Sequence, residues 1–223
     1  MSIVENYKKI LTSIPDTVKL VVVTKTQSID NIMQVYSAGG RFFGENKVQE
    51  LLSKQPQLPD DIEWHLIGHL QTNKVKYIAP FISFIHSIDS LKLLKEVNKQ
   101  AQKSNRVIYC LLQVYIAKED TKFGLDFEEA EHLLASEDLK ELTNITIAGL
   151  MGMATNTNDR QQIAGEFQSL NRFFEKLKSI TSHNIHFTTL SMGMSSDYLI
   201  AIENGSNLIR VGSSIFGERK FNP

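Results

Sequence analysis

The sequence predicts an α/β protein, a single (β/α)8 TIM-type barrel over residues 1–223 with an extra N-terminal helix. Three observations carry this. Eight short β-rich runs recur along the chain, segments with helical spacing or helix-forming residues separate them, and several runs are almost wholly apolar, such as LVVV and VIYCLLQV. Strands joined through helices pair in parallel by right-handed crossovers, and continuous apolar strands suit a sheet covered by helices. Eight such units close naturally into a barrel. An open doubly wound sheet is the rival, but no Gly-x-Gly-x-x-Gly follows the first strand.

The elements are read in chain order. A helix near residues 2–12 precedes strand one (18–25), and IDNIMQVYSAG has the apolar spacing of the helix that follows. Strand two is placed at 41–45, with KVQELLSK behind it, and QPQLPDD (55–61) is a loop because its prolines cannot continue a helix. Strands three and four fall at 63–67 and 83–88, followed by SLKLLKEVNKQAQK. Strand five spans 106–115, with FEEAEHLLAS as its helix, and strand six spans 145–152. The long RQQIAGEFQSLNRFFEKLKSI carries a Phe/Leu packing stripe. Strands seven and eight lie at 185–191 and 207–211.

Composition bounds the function. At 223 residues and 42% hydrophobic content the chain can bury a substantial core. A formal charge of -1 gives no footprint for nucleic acid or an anionic membrane. MSIVENYKKI lacks a signal-peptide apolar stretch and no run reaches membrane-spanning length, so a soluble cytoplasmic protein is expected. Cys110, the only cysteine, reads as a buried structural thiol. No metal site is expected, because Gly68 and the strand-like WHLIG argue against a helical His65/His69 pair.

Barrel chemistry belongs at the C-terminal strand ends, with phosphate commonly held in the loops after strands seven and eight. Lys25 ends strand one, where a lysine is usually a solvated cap but is also placed to form a Schiff base. After strand seven, Ser191 offers a hydroxyl, Met192 and Gly193 offer backbone N–H groups, and Ser195 or Ser196 can cap the helix toward Asn204. An ordinary capped turn reads the same way. After strand eight, Gly212, Ser213 and Ser214 form a second small-residue turn that lets amides approach an anion. Arg210, on strand eight, either faces inward toward a ligand acceptor or pairs with a carboxylate such as Glu203. A lone amine plus two anion-cradling turns suggests one ligand that is both carbonyl and phosphate, and pyridoxal 5'-phosphate fits. An arginine beside its ring nitrogen can only donate, which favours the unprotonated ring and weakens carbanion chemistry.

VVVTKTQ, FFGENKVQE, WHLIGHLQTNK, KEDTKFG, GLMGM and LSMGMSSDYLIAIENGSNLIRVGSSIFGER cover nearly the whole chain, and together they resemble the pyridoxal phosphate homeostasis protein family. The resemblance implies a barrel related to the N-terminal domain of alanine racemases, without their second domain. It implies an aldimine with Lys25, a phosphate cup around Ser191 and Gly212–Ser213, Arg210 at the ring nitrogen and Asn46 lining the cofactor. It also implies a carrier or regulator of vitamin B6 and amino-acid pools with no catalytic residues, apo-enzymes as recipients, and a monomer. Two positions depart from the family pattern: Tyr115 after Gln113–Val114, and Lys47 where tyrosine is common. His86 is read as a polar rim residue with the cofactor as the other option, and FEEAEHLLASED as a solvated acidic face. Two enzyme readings stay open, an amino-acid racemase and an aldolase-like barrel using Lys25 without cofactor.

Overall fold

Eight parallel strands close into a ring in chain order: β1 (Lys19–Val23), β2 (Phe42–Glu45), β3 (Glu63–Leu66), β4 (Phe84–Ile88), β5 (Ile108–Gln113), β6 (Ile145–Met151), β7 (Ile185–Ser191) and β8 (Leu208–Val211). The computed structural model describes residues 2–118 and 123–217. Ring closure is made by β1 against β8, with Lys19 opposite Leu208 and Val21 opposite Arg210. Helix α1 (Ile3–Ser13) precedes the barrel, and a capping box starts it: Ser2 Oγ accepts from Glu5 N at 3.2 Å, and Glu5 Oε2 accepts from Ser2 N at 2.7 Å. Asn6 Nδ2 donates to Ile215 O at 3.0 Å and ties α1 to the far end of the chain.

Helices α2 (Ile29–Ser37), α3 (Val48–Lys54), α4 (Val75–Ile78), α5 (Leu91–Lys103), α6 (Phe127–Leu134), α7 (Glu137–Lys140), α8 (Arg160–Leu177), α9 (Tyr198–Glu203) and α10 (Ser213–Phe216) cover the outer face. The stripe expected on α8 is there, with Ile163, Phe167, Leu170, Phe174 and Leu177 buried. Between helices and sheet, Phe43, Leu66, Ile85 and Leu112 are fully enclosed, each stabilising the fold by about 1.5–3 kcal/mol relative to exposure. Cys110 is also enclosed there, and burial pushes its thiol pKa up.

All eight strands lie where the sequence placed them, β7 with the same bounds and the other seven with shorter ends. β1 stops at Val23, so Lys25 sits in the turn beyond the strand. β5 stops at Gln113, because Gly124 and Leu125 close on it: Leu125 N donates to Gln113 O at 2.8 Å, and Val114 survives as an isolated bridge to Leu125. QPQLPDD contains one 3₁₀ turn, Gln55–Gln57, since a proline in the first turn has no intrahelical N–H bond to lose. The acidic FEEAEHLLASED segment is amphipathic, burying Ala130, Leu133 and Leu134 beneath its exposed carboxylates. Within KEDTKFG, residues 119–122 lie outside the described residues, as does the Glu218–Arg219 end of the last motif.

The β6 register shifts at Gly149, which has φ +152°, and a Cβ there would lie 1.8 Å from Thr189 O on β7. Gly149→Ala is therefore expected to cost about 3 kcal/mol through forced strand separation and backbone strain. Chemical denaturation measures it, and an unchanged midpoint would show that the strands can part there freely.

Barrels of this size commonly fill the interior with layers of branched aliphatic side chains. This one has a small apolar cluster, Leu111, Ala148 and Met151 packed by Phe84, beside a polar column of His65, His86, Ser191 and Arg210. That column leads to the site.

Candidate functional site

Strand pleating points alternate residues inward, so Val23 and Arg210 converge with Lys25, in the turn after β1, and with the loops after β2, β3, β6, β7 and β8 on one mouth at the C-terminal end of the barrel. The mouth encloses about 400 Å³, within the usual range for small-ligand sites. Lys25, Asn46, Arg210, Gly212 and Ser213 all line it, as the sequence predicts.

The turn bearing Lys25 is rigidly supported. Thr26 has φ +66°, a conformation a β-branched residue seldom adopts. Lys54, 6% exposed, donates through Nζ to Thr24 O at 2.7 Å, Glu45 Oε1 at 2.7 Å and Glu50 Oε1 at 2.6 Å. Thr24 Oγ1 also donates to Glu45 Oε1 at 2.7 Å, and Thr26 N donates to Glu50 Oε1. Both neighbours of Lys25 are thus pinned by one buried cluster. Desolvation raises the Glu45 pKa, opposed by Lys54 and Thr24.

Opposite Lys25, the two Ser/Gly turns are stitched together by one hydroxyl. Ser195 Oγ accepts from Gly212 N at 3.2 Å and Ser214 N at 3.3 Å. A Cβ at Gly212 would sit 3.0 Å from Val23 O, so a side chain there would crowd β1. The N–H groups of Ser195, Ser196 and Ser213 have no acceptor among the described residues, which leaves anion-binding donors on both turns.

Two residues of the predicted cup lie elsewhere. Ser191 is fully buried beneath the mouth, its Oγ accepting from Arg210 Nη1 at 2.6 Å. Met192 is fully buried too, and its N–H is committed to Leu208 O and Ser206 Oγ, both at 3.2 Å. The turn presents Met194, Ser195 and Ser196 to the cavity instead. Ser195 and Ser196 are not helix caps either: α9 begins at Tyr198, and Asp197 in the cap position turns its Oδ1 back onto Met194 N at 2.6 Å. Nothing in the residue pattern distinguishes a serine that stitches two turns from one that caps a helix.

Arg210 faces inward, 4% exposed, and does not pair with Glu203. Nη1 donates to Ser191 O at 2.9 Å and to Ser191 Oγ, and Nη2 donates to Gly152 O at 3.1 Å. Three of its five N–H donors are spent, so two remain for the mouth. Burial lowers its pKa to about 10, with Asp197 opposing, and it stays charged at neutral pH.

Below Arg210, His86 is a core residue and not a rim histidine: it is fully buried, with Nδ1 3.2 Å from Ser191 Oγ and Nε2 2.8 Å from His65 Nδ1. Burial holds both rings neutral, His65 near a pKa of about 3 and His86 well below its ordinary value. The direction of the chain follows from arginine being donor-only. Ser191 Oγ accepts from Arg210, its O–H donates to His86 Nδ1, and His86 Nε2–H donates to His65 Nδ1. The reverse order would strand the buried Ser191 hydroxyl proton. His65 Nε2 then carries the last proton, and it has no partner among the described residues. His69 is far more exposed and lies beside Asp89, so it shares no site with His65. No group of three His, Cys, Asp or Glu able to hold a metal occurs among the described residues.

The family described as alanine racemase, N-terminal domain, matches residues 1–220. The pyridoxal phosphate homeostasis protein of Aquifex aeolicus (strain VF5) is 39% identical over 204 residues, covering 91% of this chain and 88% of its own. The chain belongs to the pyridoxal phosphate homeostasis protein family. Among solved structures, PipY of Synechococcus elongatus PCC7942 with PLP bound superposes with a TM-score of 0.87 at 33% identity, covering 97% of this homeostasis-family chain and all of PipY. An alanine racemase from Clostridium difficile 630 shares the fold, with a TM-score of 0.79 at 12% identity, and is covered over 57% of its length. Of the two positions expected to differ from the family pattern, Tyr115 donates its N–H to Leu125 O at 2.8 Å, and Lys47 is exposed just before α3.

Proposed function

We propose that this single-barrel protein binds pyridoxal 5'-phosphate at the C-terminal mouth, covalently through Lys25, and acts in vitamin B6 and amino-acid homeostasis without strong catalytic turnover. One observation carries the reading: an amine, a buried guanidinium with two uncommitted donors and two serine/glycine turns with free amides meet around one cavity. The fit extends to Asn46, whose Oδ1 is buried with no partner among the described residues and suits a ligand hydroxyl. Bound there, the cofactor supplies an electrophilic aldehyde and an electron-accepting ring. Lys25 supplies the nucleophile, the Ser195–Ser196 and Ser213 amides a seat for phosphate, and Arg210 a donor for the ring nitrogen. A donor that does not protonate the ring weakens it as an electron sink, which supports storage over turnover. Relatives named for homeostasis and not for a reaction support the same reading. Recipient apo-enzymes, a monomeric state and a cytoplasmic location complete the proposal; no helix among the described residues is long and apolar enough to cross a membrane.

Apo-protein titrated with pyridoxal 5'-phosphate is expected to develop a saturable visible band that survives gel filtration and is removed by borohydride. The loaded protein, incubated with each L-amino acid, is expected to yield no D-isomer beyond the rate of free cofactor. Absence of retained cofactor would sink the binding reading, and robust D-isomer formation would replace the storage reading with a racemase.

A further inference from the structure

A second cavity, of about 280 Å³, opens at the opposite, N-terminal end of the barrel. That end of such barrels ordinarily contributes stability and not function. Here it is hollow where the strands begin, with Phe42 and Phe84 as an aromatic wall and Lys19, Glu63 and His65 among its polar lining. His65 is held by its ring faces and edges: it stacks on Phe84 at 4.9 Å with 4° between planes, and Phe42 meets it edge-on at 6.1 Å. The ring is 2% exposed. Its Nδ1 is committed upward to His86, so Nε2–H, on the other side of a ring that lines the cavity, is a fixed, buried donor with no acceptor among the described residues.

Such an orphan costs roughly 1–3 kcal/mol if it stays unsatisfied, so a ligand acceptor or an ordered water belongs there. The charges around it favour a ligand. Lys19 is the first residue of β1 and shares the inward face with Val21, its ammonium 5.5 Å from the Phe42 ring centroid. Glu63, opposite Phe42 in the strand register, brings a carboxylate to the same cavity. Among the described residues neither enters an ion pair. A lone anion would be opposed by Glu63, and a lone cation by Lys19.

We propose that this cavity is a second small-molecule site that takes a zwitterion of free α-amino-acid size. Its carboxylate would accept from His65 Nε2–H and face Lys19, and its ammonium would face Glu63. The neutral state of His65 agrees with this, because a donor of fixed tautomer needs no proton exchange on binding.

The test uses apo-protein labelled with ¹⁵N-histidine, titrated with glycine and L-alanine while the His65 Nε2 resonance is followed. Acetate and methylammonium are the controls. Saturable shifts with both zwitterions at about millimolar affinity, at least tenfold weaker in Lys19→Met and in Glu63→Gln, and absent with the controls, are expected. Both substitutions are at exposed positions, so folding is preserved. The same shift in Lys25→Ala would separate this site from the proposed cofactor site. No movement of His65 with either amino acid would overturn the proposal and leave a water on Nε2. Equal binding of acetate, or indifference to both substitutions, would overturn it as well.

Discussion

Lys25→Ala is expected to fold normally and to lose tight retention of pyridoxal 5'-phosphate. The residue lies beyond the last residue of β1, half-buried at the mouth and outside the core, so its removal leaves the strand register intact. Arg210 and the Ser195 and Ser213 turns remain, and weak reversible binding should persist. The loss is expected to be on the order of 100-fold or more, about 3 kcal/mol, because the covalent link is gone. Equilibrium dialysis measures it. Borohydride treatment followed by peptide mass analysis should find the adduct on Lys25 in the native protein and none in the variant. Lys25→Arg is the control for charge: a guanidinium keeps the cation and cannot act as the nucleophile, so it should behave like alanine. An adduct on another lysine would refute the assignment.

Lys54→Met is expected to destabilise the fold by about 3–5 kcal/mol at neutral pH, the usual cost of leaving a buried charge without its partner. Glu45 is fully buried, its Oε2 has no partner among the described residues, and Lys54 is the cation that offsets it. The loss also releases Thr24 O and Glu50, which hold both sides of the Lys25 turn, so cofactor affinity should fall with stability. The pH dependence has a definite sign. Burial raises the folded-state pKa of Glu45 above its unfolded value. Its ionisation therefore costs stability as pH rises through the folded pKa and costs none below the unfolded one. Without Lys54 that pKa rises further, so the deficit of the variant should narrow as pH falls from neutral toward the ordinary carboxylate range. Urea denaturation at two pH values reads this, and adding Glu45→Gln should recover much of the loss. A deficit of constant size across pH would show that Glu45 is not the stranded group.

The strand count and the barrel were legible because apolar runs and helical periodicity are local signals. Strand ends were less so: whether Lys25 continues β1 depends on Lys54 and Glu50, which lie far along the chain from it and whose contacts leave no mark in VVVTKTQ. The mouth was legible where residue type alone limits the role, as with an amine at Lys25 or a Cβ-free position at Gly212. It was misread at Ser191 and Met192, because the turn rotates those two inward and passes the exposed role to Met194–Ser196. His86 was read as a rim residue, and His65 was weighed only as half of a metal pair. Their partnership joins positions on two strands to Ser191 and Arg210 on two others, and only ring closure brings those strands together.

The pairing of β1 with β8 joins residues such as Lys19 and Leu208, almost the full length of the chain apart. During synthesis the first strand must wait, its edge unpaired, until the last has left the ribosome. Such non-local closure is slow, and Arg210 arrives on the very strand that completes it. A nascent chain therefore has no complete mouth until the ring is sealed, so capture of the proposed cofactor there would be a checkpoint for finished molecules.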